Sequence, residues 1–227
     1  MDIQRLVSHM RSLVADLADV TLSRDCVSCG RPGQVLCAAC QQGIAREPAQ
    51  RRFAQALWFG APYESTVRDL VIAHKDHGVR ALSPHLGLLL ARSVWAAAVT
   101  CSNERPVVLV SIPPHGSSLG RRGRDTVAEL ASIAAATLGE RGIRCAVVPM
   151  LTRTRETARN AGRSAVERQD MVGAFAVRNG LHAGRRVILV DDVVTTGATV
   201  SEGVRALQFA GVHVDAIACV ASTALKP

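Results

Sequence analysis

The sequence predicts an α/β fold, with a mostly parallel sheet flanked by helices and preceded by a small four-cysteine module. From about residue 106 onward, short apolar runs alternate with helical patterns, which is typical of an open parallel sheet. Nearer the start, four cysteines stand in two closely spaced pairs, Cys26/Cys29 and Cys37/Cys40. The chain has 227 residues, 48% of them hydrophobic, which is enough for one large core and one small module.

The N-terminal residues have the apolar spacing of an amphipathic helix. We predict that this helix lies within residues 1–23 and packs on its own domain, with packing on a partner as the alternative. Charged residues interrupt the apolar positions, unlike in a signal peptide, and no stretch of about 18 apolar residues predicts a membrane span. We therefore expect a cytoplasmic protein. The apolar positions are Ile3, Leu6, Val7, Met10, Leu13, Val14 and Leu17.

The cysteine pairs lie within residues 24–45, with seven residues between one pair and the next. Two CxxC pairs at this spacing can supply four thiolates to a tetrahedral Zn²⁺ ion. Because four thiolates leave no open coordination position, this zinc is expected to stabilise the module and not to catalyse a reaction. A redox dithiol pair and four free thiols are the alternatives. The predicted metal ligands are Cys26, Cys29, Cys37 and Cys40.

The rest of the chain is predicted to form a linker and one further domain. Residues 46–52 are polar, contain a proline and are expected to be the linker. The domain spans 53–227, with a largely helical part at 53–105 and the core sheet at 106–222. We expect helices at 64–75, 84–99, 126–139 and 199–211, and strands at 53–60, 106–112, 144–148, 173–177, 186–191 and 212–221.

Two helix starts are marked by capping-box patterns, in which Ser or Thr is followed three residues later by Glu. The first pattern runs from Thr126 to Glu129 and precedes an apolar helical repeat. The second runs from Thr199 to Glu202 and follows the strand at 186–191 after a short loop. The second pattern therefore predicts a strand–loop–helix unit.

The segment 187–199 combines an apolar strand, two carboxylates and a Thr/Gly loop that opens a helix. A helix start offers unpaired backbone N–H groups and the positive end of the helix dipole, which suit a phosphate group. Gly197 allows the backbone to approach an anion closely, and the threonines add hydroxyl donors. Asp191 and Asp192 would repel phosphate, so we expect them to face ribose hydroxyls or a divalent cation.

This segment resembles the signature with which type I phosphoribosyltransferases bind 5-phosphoribosyl 1-pyrophosphate (PRPP). In that family the paired acids bind the ribose 2′- and 3′-hydroxyls, and the loop holds the 5′-phosphate. The resemblance implies a type I phosphoribosyltransferase fold, Mg²⁺ bound together with PRPP, and catalytic roles for Asp191 and Asp192. The PRPP-binding residues that it implies are Asp191, Asp192, Val193, Val194, Thr195, Thr196, Gly197, Ala198 and Thr199.

From about residue 24 onward the chain resembles the ComF-like competence proteins, which join a four-cysteine module to this domain. The chain departs from that family at Arg124-Asp125, where Phe-Asn is common, and at Asp170, where Asn is usual. The resemblance also makes Lys75 a candidate site residue. The shared hallmarks, in order, are the four cysteines, Ala73-His74-Lys75, Ile112-Pro113-Pro114, Arg122-Gly123, Leu151–Arg155 and Arg168–Phe175.

Two further segments resemble the parts of this fold that contact pyrophosphate. The loop after the strand at 106–112 offers backbone N–H groups, and an ordinary Pro-Pro turn is the alternative. The Arg-rich segment 152–170 resembles a mobile flap that covers PRPP, and a solvated helix with Glu–Arg pairs is the alternative. The candidate residues are Pro114, His115, Gly116, Arg122, Arg153 and Arg155.

Two functions fit these patterns. The first is transfer of a phosphoribosyl group from Mg²⁺-PRPP to a nitrogenous base with release of pyrophosphate, in nucleotide metabolism or DNA uptake. The second is non-catalytic binding of PRPP or a nucleotide monophosphate, in support of DNA uptake, with single-stranded DNA or a DNA-uptake protein as partner. A net charge of +8 suits either anionic partner, whereas an aromatic content of 3% counts against a base-stacking surface. An oligomer is compatible with both functions.

Overall fold

The computed structural model of the protein describes most of the chain from residue 25 onward. The predicted N-terminal helix within residues 1–23 lies outside the described residues. The described residues are 25–45, 47–53, 55–100, 105–114, 124–154, 172–178 and 184–223.

The described residues form eight strands and five α-helices. The strands are β1 (Ala49–Arg51), β2 (Leu57–Pro62), β3 (Val107–Ser111), β4 (Cys145–Val147), β5 (Leu151–Arg153), β6 (Phe175–Val177), β7 (Arg186–Val194) and β8 (Ala216–Ser222). The helices are α1 (Ala38–Gly43), α2 (Ser65–Asp76), α3 (Ser83–Thr100), α4 (Thr126–Gly139) and α5 (Ala198–Phe209), and a 3₁₀ turn at Arg80–Leu82 precedes α3.

Six strands form the main sheet in the order β1-β2-β8-β7-β3-β4, and all neighbours are parallel except β1 and β2. The central strands β3, β7 and β8 are apolar on both faces because helices cover both faces. Successive residues of β3 alternate between the two cores: Leu109 packs with the core beneath α3 and α4, and Val108 with the core beneath α5. The predicted fold class, a mostly parallel sheet flanked by helices, is confirmed.

The main sheet begins earlier in the chain than predicted. β1 lies within the predicted linker at 46–52 and pairs antiparallel with β2. It is an edge strand, and its polar composition is what predicted a linker. β2 in turn pairs with β8, next to the sheet centre. The prediction that the core sheet starts at residue 106 is therefore wrong, because 53–105 also contributes a strand to it.

β5 and β6 form a separate antiparallel pair. β5 lies at the start of the segment 152–170 that was predicted to be a flap, and β6 matches the predicted strand at 173–177. Residues 155–171, which include Arg155, lie outside the described residues.

Both predicted capping boxes are wrong in detail. The side chain of Asp125, not Thr126, caps α4, because its Oδ1 accepts a hydrogen bond from the Ala128 amide at 3.0 Å. The residue that precedes α5 is Gly197, which has a φ of +85°. No side chain caps the start of α5 there. Glu202 accepts instead from the Gly173 amide at 2.8 Å, which ties α5 to the segment leading into β6.

α3 is apolar because most of it lies in the core. By length and composition alone, the segment Arg80–Thr100 could cross a membrane. However, 67% of its most apolar stretch is buried within the protein. Its neighbours are α4, β2 and β8.

We expect Gly60→Ala to destabilise the protein by about 2–3 kcal/mol. Gly60 lies in β2, where α3 approaches so closely that an added Cβ would lie 2.4 Å from the backbone oxygen of Leu89. A helix backbone cannot move aside cheaply, so the sheet and α3 would separate. Urea unfolding of Gly60→Ala measures the effect, with Gly139→Ala as the control because its Cβ would meet no atom within 4 Å. Equal unfolding free energies for the two variants would contradict the close approach.

Candidate ligand site at the carboxyl ends of the central strands

Two buried carboxylates near the end of β7 form the floor of the candidate site. Asp191 and Asp192 are only 8% and 6% exposed. The Asp192 amide donates to Asp191 Oδ1 and the Val193 amide donates to Asp192 Oδ1, both at 2.8 Å. β7 continues past the acidic pair to Val194, longer than predicted, because β8 stays paired with it as far as Ser222. Both side chains are therefore held by a paired strand and not by a loose loop.

Burial raises the pKa of Asp191 well above its usual value, and the neighbouring charge of Asp192 raises it further. Two adjacent buried carboxylates resist carrying two negative charges. A cation or a set of hydroxyl donors placed between them would lower that cost. The acidic pair is thus suited to a cation or to hydroxyl donors.

Lys75, at the end of α2, is brought to the acidic pair. Its Nζ lies 2.6 Å from Asp192 Oδ2, and its side chain is 41% exposed. Burial alone would lower the pKa of Lys75, but Asp192 and, more weakly, Asp191 raise it above its usual value. Sequence spacing gave no reason to expect this ion pair, and only the family resemblance pointed to Lys75.

We expect Lys75→Met to lower the free energy of unfolding at pH 7 by about 1 kcal/mol. The substitution leaves Asp192 buried without its cation, although the partial exposure of Lys75 keeps the loss small. Lys75→Arg retains the charge and is the control. Denaturant titration of both variants measures the effect, and a Lys75→Met protein as stable as wild type would show that the ion pair contributes nothing.

The loop that follows β7 has the geometry of a phosphate cradle. Thr195 and Thr196 are exposed, and Gly197 adopts a left-handed conformation directly before α5. The first backbone N–H groups of α5 have no preceding helical carbonyl to bind, and the helix dipole places positive charge there. One of these groups, the Ala198 amide, makes only a 3.4 Å contact with Thr196 Oγ1.

Arg51 and Phe53 form one wall of the loop, and the sequence did not point to either of them. Arg51 donates to the backbone oxygens of Thr195 at 3.2 Å and Thr223 at 2.8 Å. Phe53 covers Gly197 so closely that an added Cβ would lie 2.5 Å from its ring. No local pattern could have found this wall, because Arg51 and Thr195 are 144 residues apart in sequence.

Arg153 forms the opposite wall. Its Nε donates to the carbonyl oxygens of Pro113 and Pro114 at 3.2 and 3.1 Å, and its guanidinium carbon lies 4.9 Å from the ring centre of Phe175. Burial lowers the pKa of Arg153, which the charge of Asp191 partly offsets. Its Nη1 is buried and has no hydrogen-bond acceptor among the described residues. Of the predicted pyrophosphate contacts, Pro114 and Arg153 thus lie side by side.

The remaining predicted pyrophosphate contacts lie outside the described residues. They are His115, Gly116, Arg122 and Arg155.

Arg124, where the chain departs from the ComF-like pattern, belongs to a partly buried polar network. Its Nη2 donates to His74 Nε2 at 2.6 Å, and its Nε lies 3.2 Å from Glu129 Oε2. Ser83 joins the network by donating to Glu129 Oε1 at 2.5 Å. Burial raises the pKa of the neighbouring Asp125, with a smaller contribution from the charge of Asp192. Arg124 therefore links α2 to α4, and Ser83 at the start of α3 joins them through Glu129.

The four predicted metal ligands lie together in the N-terminal module. Their Sγ atoms all lie within 4.8 Å of one another, and Cys29 Sγ and Cys37 Sγ are 3.6 Å apart. Four ligands at about 2.3 Å from a tetrahedral Zn²⁺ would lie about 3.8 Å apart, so the cluster fits the ion. Burial favours the neutral thiol of Cys26, but backbone hydrogen bonds from Cys37, Cys29 and Ser28 lower its pKa to about 6. The cluster could hold a zinc ion.

The cysteine module is anchored to the helix that carries Lys75. Ser28 Oγ lies 3.0 Å from both Thr66 Oγ1 and Asp69 Oδ2 on α2. Buried Cys26 and Cys37 belong to the same apolar core as the inner face of α2. The module and the acidic pair are thus joined through α2.

Known proteins resemble the chain over spans of different length. No family model matches the chain. The DNA utilization protein YhgH of Escherichia coli O157:H7 is 28% identical over 182 residues, which cover 78% of this chain and 74% of YhgH. This chain is therefore similar to YhgH over most of its length. The resemblance predicted from the sequence is confirmed as similarity to YhgH over most of the chain and to a phosphoribosyltransferase over a short segment.

Two further matches are with named phosphoribosyltransferases. The orotate phosphoribosyltransferase of a Nocardioides species is 54% identical over 37 residues, which cover 16% of this chain and 21% of that enzyme. Among solved structures, the adenine phosphoribosyltransferase of Leishmania donovani aligns with a TM-score of 0.37 and 14% identity, covering 81% of this chain and 68% of that one.

Proposed function

We propose that this protein binds Mg²⁺-PRPP and transfers its phosphoribosyl group to a nitrogenous base, releasing pyrophosphate. The observation that carries the proposal is the juxtaposition of a buried acidic pair with a Gly197 loop at the start of α5. A 5-phosphoribosyl group needs both features, because its phosphate is an anion and its ribose presents two hydroxyl donors. The proposed location is the cytoplasm, where PRPP would be available.

Each wall of the site has a proposed task. The loop from Thr195 to Thr199 holds the 5′-phosphate, and Arg51 and Phe53 fix the shape of that loop. Asp191 and Asp192 accept hydrogen bonds from the ribose hydroxyls, and Lys75 offsets part of their charge. Fixing the ribose in this way positions its C1 for attack.

The reaction breaks the bond between ribose C1 and the pyrophosphate oxygen and forms a bond from C1 to a base nitrogen. Pyrophosphate leaves with the bonding electrons, so negative charge develops on its oxygens. Arg153 Nη1, buried and lacking an acceptor among the described residues, is the donor proposed for those oxygens. Mg²⁺, when bound with PRPP, would neutralise pyrophosphate charge. The four cysteines are proposed to hold a structural Zn²⁺ ion.

Calorimetric titration of PRPP, with and without Mg²⁺, tests the proposal. We expect Mg²⁺-dependent binding to wild type and no binding to the double variant Asp191→Asn and Asp192→Asn. Glu140→Gln removes an exposed carboxylate at the end of α4 and is the control for loss of negative charge. Failure of folded, zinc-loaded wild type to bind PRPP would overturn the proposed site.

A second function, non-catalytic binding that supports DNA uptake, is favoured by the name of the homologue, which describes DNA utilization. In this alternative the same site binds PRPP or a nucleotide monophosphate without turnover, and single-stranded DNA or a DNA-uptake protein is the partner. Pyrophosphate release in a screen of nitrogenous bases would support the transferase. PRPP binding without release, together with salt-sensitive binding of single-stranded DNA, would support the alternative.

A further inference from the structure

Helix α3 exposes a single apolar line to solvent. The exposed positions between residues 84 and 99 are Pro84, Leu88, Arg92, Trp95 and Val99. At about 100° per residue they fall within about 80° of arc, so they form one narrow line. Leu88, Trp95 and Val99 are 46%, 41% and 53% exposed, and we call these three residues the α3 stripe.

The α3 stripe is distinctive within the described part of the chain. Five large hydrophobic residues are strongly exposed there, and three of them belong to the stripe. Of the other two, Val172 lies just before β6 and Phe209 ends α5. A single exposed apolar residue is ordinary, whereas several in line on one helix mark a surface that another element covers.

We propose that the α3 stripe is the docking surface for this chain's own N-terminal segment, residues 3–17. The apolar positions of that segment follow one another at intervals of three and four residues, and the exposed positions of α3, with Arg92 among them, have the same spacing. A helix of about 15 residues is marginal in water by itself, so it needs a surface that buries its apolar face. The matched positions are Ile3, Leu6, Met10, Leu13 and Leu17 on the segment, and Leu88, Arg92, Trp95 and Val99 on α3.

The dimensions fit this occupant. Residues 3–17 as a helix would be about 22 Å long, and so is the line from residue 84 to residue 99. Helices with apolar positions at such spacing pack side by side at a shallow angle. The seven residues 18–24 can span up to about 24 Å before the described chain begins at Asp25. Asp25 opens the cysteine module, which is anchored on α2, and α2 packs against α3.

Trp95 provides a direct probe, because the chain has only two tryptophans. In the 227-residue chain carrying Trp58→Phe, Trp95 is the sole tryptophan. Adding Leu6→Asp and Leu13→Asp is expected to shift its emission to longer wavelength and to raise acrylamide quenching about twofold, because the apolar cover is lost. Ser8→Asp and Ser12→Asp, on the opposite side of the segment, are the matched control and should change neither quantity.

The reciprocal variants alter α3 and leave the N-terminal segment unchanged. Leu88→Asp and Val99→Asp alter exposed positions, so the core should remain folded. They are expected to speed tryptic cleavage at Arg5 and Arg11 about tenfold, because the undocked segment is open to the protease. Quenching and cleavage rates equal to those of the parent proteins would overturn the proposal. Quenching that follows protein concentration but ignores Leu6→Asp and Leu13→Asp would assign the stripe to a second copy of the chain, and would also overturn it.

Discussion

Asp191→Asn is expected to stabilise the protein while abolishing its binding of PRPP. The carboxylate is buried beside Asp192, and its pKa is raised by burial and by that second charge. Asparagine keeps the oxygen that accepts from the Asp192 amide but removes the unfavourable charge. We expect a gain of about 1–2 kcal/mol at pH 7, which is of the order usual for relieving a buried charge. Residues that a binding site needs often lower the stability of the folded protein.

The pH dependence of this gain follows from linkage. Because the pKa of Asp191 is raised in the folded protein, the folded state holds this proton more tightly than the unfolded state does. The resulting stabilisation of wild type is fully present below the ordinary carboxyl pKa of 3.8 and is lost as pH rises through the raised value. The advantage of Asp191→Asn should therefore be close to zero near pH 3.8 and should grow toward pH 7.

Urea titrations at several pH values measure this difference. Asp192→Asn is the matched control, because it also removes one charge but takes away the partner of Lys75. It should lose PRPP binding without a comparable gain in stability. If Asp191→Asn proves less stable than wild type at pH 7, the carboxylate is not the energetic burden inferred from its burial.

Cys37→Ser is expected to cause the largest loss of stability among the predicted substitutions, about 3 kcal/mol or more. The Cys37 side chain is buried in the module, and its Sγ is one of the four clustered sulfur atoms. Losing one of four thiolates should release the zinc ion, and with it the binding energy that holds the module together. Cys145→Ser, outside the cluster, should retain zinc and near-normal stability.

The same substitution should weaken PRPP binding from a distance, by roughly five- to tenfold. The module is tied to α2 through Ser28, and α2 places Lys75 against Asp192. Zinc content by atomic absorption, thermal unfolding and PRPP titration are measured on the same samples of both variants. A zinc-free Cys37→Ser protein with wild-type PRPP affinity would show that the module and the ligand site are independent.

Local patterns in the sequence were sufficient to predict the helices and strands that bury apolar side chains at regular intervals. The continuous apolar run at 187–190 predicted a strand covered on both faces, and β7 is buried at these positions. The two CxxC pairs predicted that the four cysteines lie together, and they are clustered. The strand–loop–helix context of Asp191 and Gly197 was also visible, because it lies within one short segment.

Several features of the site depend on which distant segments meet. Lys75 and Asp192 are brought together by the packing of α2, and Arg51 reaches Thr195 because β1 pairs with β2 at the sheet edge. Arg124 belongs to a polar network with His74 and Glu129. Neither residue type nor local spacing encodes such partners.

The sequence by itself determined the fold class, the cysteine cluster and the position of the acidic pair and its loop, since hydrophobic period and helix-start chemistry act over a few residues. Only the tertiary structure decided the strand order, the two walls formed by Arg51 and Arg153, and the ion pair of Lys75. Those features depend on contacts between segments far apart in the chain, and such contacts are selected by the packing of the whole core.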